Sequence, residues 1–126
     1  RQTREFTYID DLIDGYLRAA MTKDAIGQTI NLGTGLALPV VEIVTKIIEM
    51  TDSTITPEVG ALPDRTGEIM SYVCDNRKAG MLLGWSPSIS LEEGLQITIE
   101  WYRQAIDQGR LPLDRSSGTS YSNKQS

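Results

Sequence analysis

The sequence predicts an α/β chain of short strands with about four helices. Three observations carry that expectation: apolar stripes at helical spacing in three places, short apolar-rich runs between them, and capping or turn residues at the borders, which alone mark a fourth, short helix.

Residues 4–9 alternate enough to read as a short strand, with Phe6 and Tyr8 on one face. Asp10 and Asp11 come next, ahead of Leu12, Ile13, Tyr16, Leu17 and Ala20 at helical spacing. Paired carboxylates suit acid–base chemistry, but ahead of a helix they read as an N-cap and a favourable first-turn charge. After a polar connection at 22–27, residues 28–32 read as a buried strand, and residues 31–35 (N-L-G-T-G) include the turn after it. A dinucleotide-binding G-x-G-x-x-G needs a third glycine where Leu38 stands, so this is a strand-to-helix turn rather than a cofactor loop. Val40, Ile43, Val44, Ile47 and Ile48 mark one face of the second helix, which Pro39 can open because a first-turn N–H has no helical partner to lose. A further short strand is centred on Ile55, and a loop containing Pro and Gly runs on to Pro63.

The stretch at 65–85 organises the chain. Arg65 and Glu68 flank Gly67, which suits a positive-φ turn or a close ligand approach. An apolar-rich strand at 69–74 follows, then Asp75 as N-cap of a short helix at 76–83. Gly84 ends that helix in the left-handed conformation, and Trp85 folds back on its last turn. Ser90 and Glu93 form a capping box for the fourth helix, where Leu91, Leu95, Ile99, Tyr102 and Ile106 share a face and Gly109 is the stop. Trp101 and Tyr102 read as packing rather than binding residues. Beyond Pro112 the composition is that of a flexible polar tail, which leaves 1–110 as the structured segment and 111–126 as the tail.

The totals exclude several classes. The chain has 126 residues, enough for one domain with a real core, and no apolar run of membrane-spanning length. A net charge of −5 with no basic cluster argues against a nucleic-acid or anionic-membrane surface, so a phosphate ligand has to be held by individually placed arginines. The single cysteine, Cys74, allows no internal disulfide and fits a reducing, cytoplasmic setting; in its strand it reads as a small core residue. The chain opens on Arg1 rather than Met, which suggests a piece of something longer or a trimmed chain.

R-T-G-E at 65–68, Tyr72 and C-D-N-R-K-A…L-G-W at 74–85 resemble the carboxyl-terminal substrate region of extended short-chain dehydrogenase/reductases. These are the NAD(P)-dependent nucleotide-sugar epimerases, dehydratases and decarboxylases. Q-T-R-E-F-T-Y-I-D-D at 2–11, I-N-L-G-T-G at 30–35 and S-L-E-E-G-L…T-I-E-W-Y at 90–102 agree, in the family's order. The resemblance covers residues 2 to about 106 and only the last part of the family's Rossmann-type fold. The chain departs from the pattern at Pro39, where the family often has a capping Ser.

The resemblance implies a substrate-binding role. Arg4 and Arg65 match the family's contacts to the diphosphate of a UDP-, dTDP- or GDP-linked sugar, and Glu68 matches its contact to ribose hydroxyls. Arg4 without the resemblance reads equally as half of a surface salt bridge. Tyr72 matches a position near the sugar, and an ordinary strand aromatic is an equal reading. In the complete enzyme, hydride abstraction from a sugar carbon gives a keto intermediate, followed by hydride return or elimination. NAD or NADP serves that whole enzyme, and none is expected on this chain alone.

The reaction centre is not in the sequence. The chemistry needs a tyrosine with a lysine four residues on to lower its pKa, and none of Tyr8, Tyr16, Tyr72, Tyr102 and Tyr121 has one; Lys124 lies three after Tyr121. No catalytic, cofactor or metal residues are therefore expected here. A second reading is a stand-alone, non-catalytic module that self-associates through an exposed edge at 28–32.

Overall fold

The computed structural model describes residues 2–61 and 66–111. Arg65 and all of the tail except Leu111 therefore lie outside the described residues. The element order is β1 (Thr3–Glu5), α1 (Ile9–Met21), a 3₁₀ turn (Lys23–Ala25), β2 (Ala37–Pro39), α2 (Val40–Met50), α3 (Arg77–Leu83) and α4 (Leu91–Asp107).

All four expected helices form. Their borders follow the chemistry of their ends. Ser90 accepts from the Glu93 N–H at 3.2 Å and caps α4. Pro39 stands as N-cap of α2 with no side-chain bond. Asn76 is the N-cap position of α3, but the cap oxygen belongs to Asp75, which accepts from the Arg77 N–H at 3.1 Å. Arg77 also holds the Asp75 carboxyl down to about 2. Gly84 lies at φ 59° and ψ 29°, so the chain reverses out of α3 and brings the Trp85 N–H 3.4 Å from the Ala79 carbonyl.

The strands are fewer and shorter than expected. β1 stops at Glu5, and Ile9 is already helical. It pairs antiparallel with β2, a strand the sequence reading missed, in the register Thr3↔Pro39, Arg4↔Leu38 and Glu5↔Ala37. Residues 28–32 and the surroundings of Ile55 form no strand, and residues 69–74 contribute one parallel bridge, Thr3↔Ser71. A strand needs a ladder partner. Among the described residues, 28–32 and the Ile55 segment meet none, and 69–74 meets β1 along a single step.

The core sits where α1, α3 and residues 30–32 converge on Trp85, which is 2% exposed. Ala79 and Leu83 of α3 are buried with it, and Ala19, Ala25, Ile30, Leu32 and Leu82 pack around them. This corrects the expected inner face of α1. Ile13, Tyr16, Leu17 and Ala20 are exposed, whereas Asp11 and Gly15 are buried. Small residues win that face because Leu32 and Trp85 come very close: a Cβ on Gly15 would stand 2.7 Å from Leu32 Cδ1 and 3.2 Å from Trp85 Nε1. On α4, Gly94, Ile99 and Ala105 are buried, and Gly94 lies against the Tyr8 ring. Tyr102 turns outward, half-exposed, in an edge-to-face contact with Trp101 at 5.1 Å.

Asp11 is not a helix cap. Its carboxylate accepts from Ser88 N–H at 3.0 Å, Ser88 Oγ at 2.8 Å and Ile89 N–H at 3.0 Å. Burial works against its charge, but these three donors outweigh that cost and hold its carboxyl below the usual range. The pair of acids thus splits into a first-turn charge, Asp10, and a buried tie between α1 and the approach to α4.

Candidate functional site

β1 is held on both sides. The Val40 N–H donates to Gln2 O at 2.9 Å, and the Thr3 N–H donates to Met70 O at 2.8 Å. Alternation along a strand sends Arg4 and Glu5 to opposite faces, and each builds a different structure.

Arg4 reaches the 66–70 turn. Its Nη1 donates to Thr3 O at 2.8 Å and Ile69 O at 2.9 Å, and its Nη2 stands 4.0 Å from Glu68 Oε1. Gly67, at φ 78°, makes the turn that presents Glu68, as the sequence suggested. The Gln2 side-chain amide also donates to Glu68. Both charged side chains keep about a third of their surface open, 33% for Arg4 and 29% for Glu68. At 4.0 Å in a solvated setting the pair adds little stability. Chemically it offers a planar guanidinium suited to phosphate oxygens beside a carboxylate suited to hydroxyl donors.

Of the four residues singled out from sequence, the structure brings Arg4 and Glu68 together. Tyr72 is exposed, one residue beyond the Thr3–Ser71 bridge. Arg65 lies outside the described residues. A cleft of about 820 Å³ lies beside Gln2 and Thr3, walled by Val40, Val44, Pro57 and Val59; neither Arg4 nor Tyr72 lines it. Among the described residues, no group of three or more His, Cys, Asp or Glu is placed to hold a metal ion.

Glu5 was passed over in the sequence, although it stands between Arg4 and Phe6 in the R-E-F run and alternation puts it on the face opposite both. Its Oε1 accepts from the Gly35 N–H at 2.8 Å and from Thr34 Oγ1 at 3.3 Å, and its Oε2 accepts from the Cys74 N–H at 2.6 Å. A side chain on Gly33 would collide with that carboxylate and meet Cys74 at 3.0 Å, so the first glycine of G-T-G is fixed by close approach. Asn76 Nδ2 donates to Gly33 O at 2.8 Å. The turn therefore gives the Gly35 amide to a carboxylate of its own chain, and it does not fit the role of a dinucleotide phosphate cradle. Burial pushes the Cys74 thiol up, with the Glu5 and Asp75 charges adding to the effect, which suits a quiet packing residue better than a nucleophile.

The fold and the sequence match one class of protein. Residues 1–98 fit the family model described as GDP-mannose 4,6 dehydratase. The chain belongs to that family, the NAD-dependent nucleotide-sugar epimerases and dehydratases of short-chain dehydrogenase/reductase type. It is 34% identical over 101 residues to a UDP-glucose 4-epimerase of Mycolicibacterium smegmatis, a match covering 80% of this chain and 31% of that protein. A dTDP-D-glucose 4,6-dehydratase of Mus musculus is 32% identical over 108 residues, covering 82% and 30%. Among solved structures, an epimerase from Methanothermobacter thermautotrophicus superposes with a TM-score of 0.79 at 30% identity, covering 86% of this chain and 32% of the other. The UDP-glucose 4-epimerase of Thermotoga maritima, solved with UDP-glucose, gives 0.75 at 32% identity, covering 83% and 33%. The chain thus spans about a third of the length of these relatives.

Proposed function

We propose that this chain is the nucleotide-sugar-binding segment of an NAD(P)-dependent epimerase or dehydratase, an isomerase or lyase of carbohydrate metabolism, and is not catalytic by itself. Arg4 and Arg65 hold the diphosphate, Glu68 takes ribose hydroxyls, and Tyr72 stands beside the sugar. The observation that carries this reading is the meeting of Arg4 with Glu68, 4.0 Å apart although far apart in sequence. No ligand atom fits between them, so one ligand engages both from the open side, where each side chain keeps about a third of its surface exposed. Family membership supports the substrate class, and relatives solved with UDP-glucose or UDP-glucuronic acid support the UDP-linked sugars first. The redox chemistry is supplied by NAD(P), as in the Bacillus cereus UDP-glucuronic acid 4-epimerase solved with NAD. This chain's residues bind and orient the substrate. Calorimetric titration with UDP, dTDP and GDP tests the reading. Saturable binding that is lost in Arg4→Ala and in Arg65→Ala is expected, and no heat at millimolar ligand with a folded chain overturns it.

A second reading, a self-associating interaction module, loses the edge expected at 28–32, where no strand forms, but is favoured by one other observation. Ile9, Ile13, Tyr16, Leu17 and Met21 all lie exposed on α1, a continuous apolar stripe at helical spacing. Its occupant in this reading is a second copy of the chain. Sedimentation velocity over a hundredfold concentration range discriminates: a growing dimer fraction abolished by Leu17→Lys favours it, and a monomer at all concentrations removes it.

A further inference from the structure

We propose that Glu5 is a positioning residue of the nucleotide-sugar site: its carboxylate fixes the far end of residues 69–74 and so sets where Tyr72 stands relative to Arg4. The inference deepens the nucleotide-sugar reading and rests on it. The segment 69–74 is fastened to β1 at its near end by backbone contacts, Thr3 N–H to Met70 O and the Thr3–Ser71 bridge. Arg4 adds its own bond to Ile69 O at 2.9 Å. Those contacts all fall within residues 69–71, which leaves the other end to be held by something else. Glu5 holds it, through the 2.6 Å bond from the Cys74 N–H.

The same carboxylate takes the Gly35 N–H and Thr34 Oγ1 on its other oxygen, so the 33–35 turn and the 74–76 segment share one anchor. Asn76 closes the ring by donating to Gly33 O. A carboxylate can accept on both oxygens at once; a carboxamide of the same shape cannot. In Glu5→Gln one amide N–H must face either the Gly35 or the Cys74 N–H, donor against donor, and one of the two segments moves away. Tyr72 lies between the two fastenings, so that movement is transmitted to its side chain, whereas Glu68 precedes the near fastening and stays with Arg4.

The test is titration of UDP-glucose into the full chain and its Glu5→Gln variant, with amide hydrogen exchange read at Gly35 and Cys74. Expected is a folded variant that binds about tenfold more weakly, the size of a partly transmitted loss of one charge-assisted bond, with faster exchange at one of the two amides. A residue that only stabilises the fold would lower the melting temperature and leave the affinity of the folded chain unchanged, and that result overturns the proposal. Should Glu5→Gln not fold, Glu5→Asp decides: it keeps the charge but is one methylene too short to span both amides, and unchanged affinity overturns the proposal equally. If the unaltered chain binds no UDP-glucose, the nucleotide-sugar reading itself falls and the positioning role with it. Binding by the unaltered chain with no difference in the variants removes the role of Glu5 alone.

Discussion

The indole Nε1–H of Trp85 donates to the main-chain carbonyl of Asp11 at 2.9 Å, joining the end of the α3 unit to the first turn of α1. The carboxylate of the same Asp11 holds Ser88 and Ile89, so one residue ties α1 both to the core and to the approach to α4. Trp85→Phe keeps most of the apolar contact but removes the indole donor, leaving the Asp11 carbonyl with its partner within α1 alone, and opens a small void. A loss of about 1–3 kcal/mol is expected, read as a lower urea midpoint with unchanged m-value. A variant as stable as the parent contradicts the role given to this bond.

Asp11 also sets an acid limit. Its folded pKa is depressed, so its contribution is complete above the ordinary carboxyl value of 3.8 and is lost as pH falls through the lower folded value. Asp11→Asn should therefore be less stable than the parent at pH 6 and converge towards it in acid. Melting curves from pH 6 down to pH 2.5 check this. A constant gap across that range would contradict the assignment.

Two glycines should respond for different reasons. Gly15→Ala gains helix propensity, ordinarily about 0.5–1 kcal/mol, but its Cβ meets Leu32 and the Trp85 ring at 2.7 and 3.2 Å. Overpacking of this kind costs about 1–3 kcal/mol, so the net change is destabilising. At Gly84 nothing lies within 4 Å of the added Cβ, and the cost is the left-handed backbone alone, about 1 kcal/mol. Chemical denaturation of both variants gives the ordering; a stabilised Gly15→Ala would show that α1 can shift away from Trp85.

The helices were legible because each needs only its own stripe and caps: Ser90 with Glu93, and Gly84 with Trp85, read directly from neighbouring residues. The strands were not, because a strand is completed by a partner elsewhere in the chain. Residues 28–32 have the composition of a buried strand, yet no partner for them lies among the described residues. The inner face of α1 was misread for a related reason. The larger apolar residues were assumed to point inward, whereas the close approach of Leu32 and Trp85 selects Gly15 and Ala19. At the candidate site, Arg4 and Glu68 were found through motif resemblance, and their proximity through the fold. Glu5 carried a usable signal, its alternation with Arg4, but its acceptor role depends on loops about 30 and 70 residues away.

The central proposal is that Arg4 and Glu68 form a site for a nucleotide sugar, Arg4 on the diphosphate and Glu68 on the ribose hydroxyls. Amide and arginine side-chain NMR shifts of the labelled chain on titration with UDP-glucose test it most directly. The account predicts saturating shifts grouped at Arg4, Gly67, Glu68, Ile69 and Tyr72, abolished in Arg4→Ala while the rest of the spectrum is kept. Shifts centred elsewhere, or a spectrum unmoved at millimolar ligand, would contradict it.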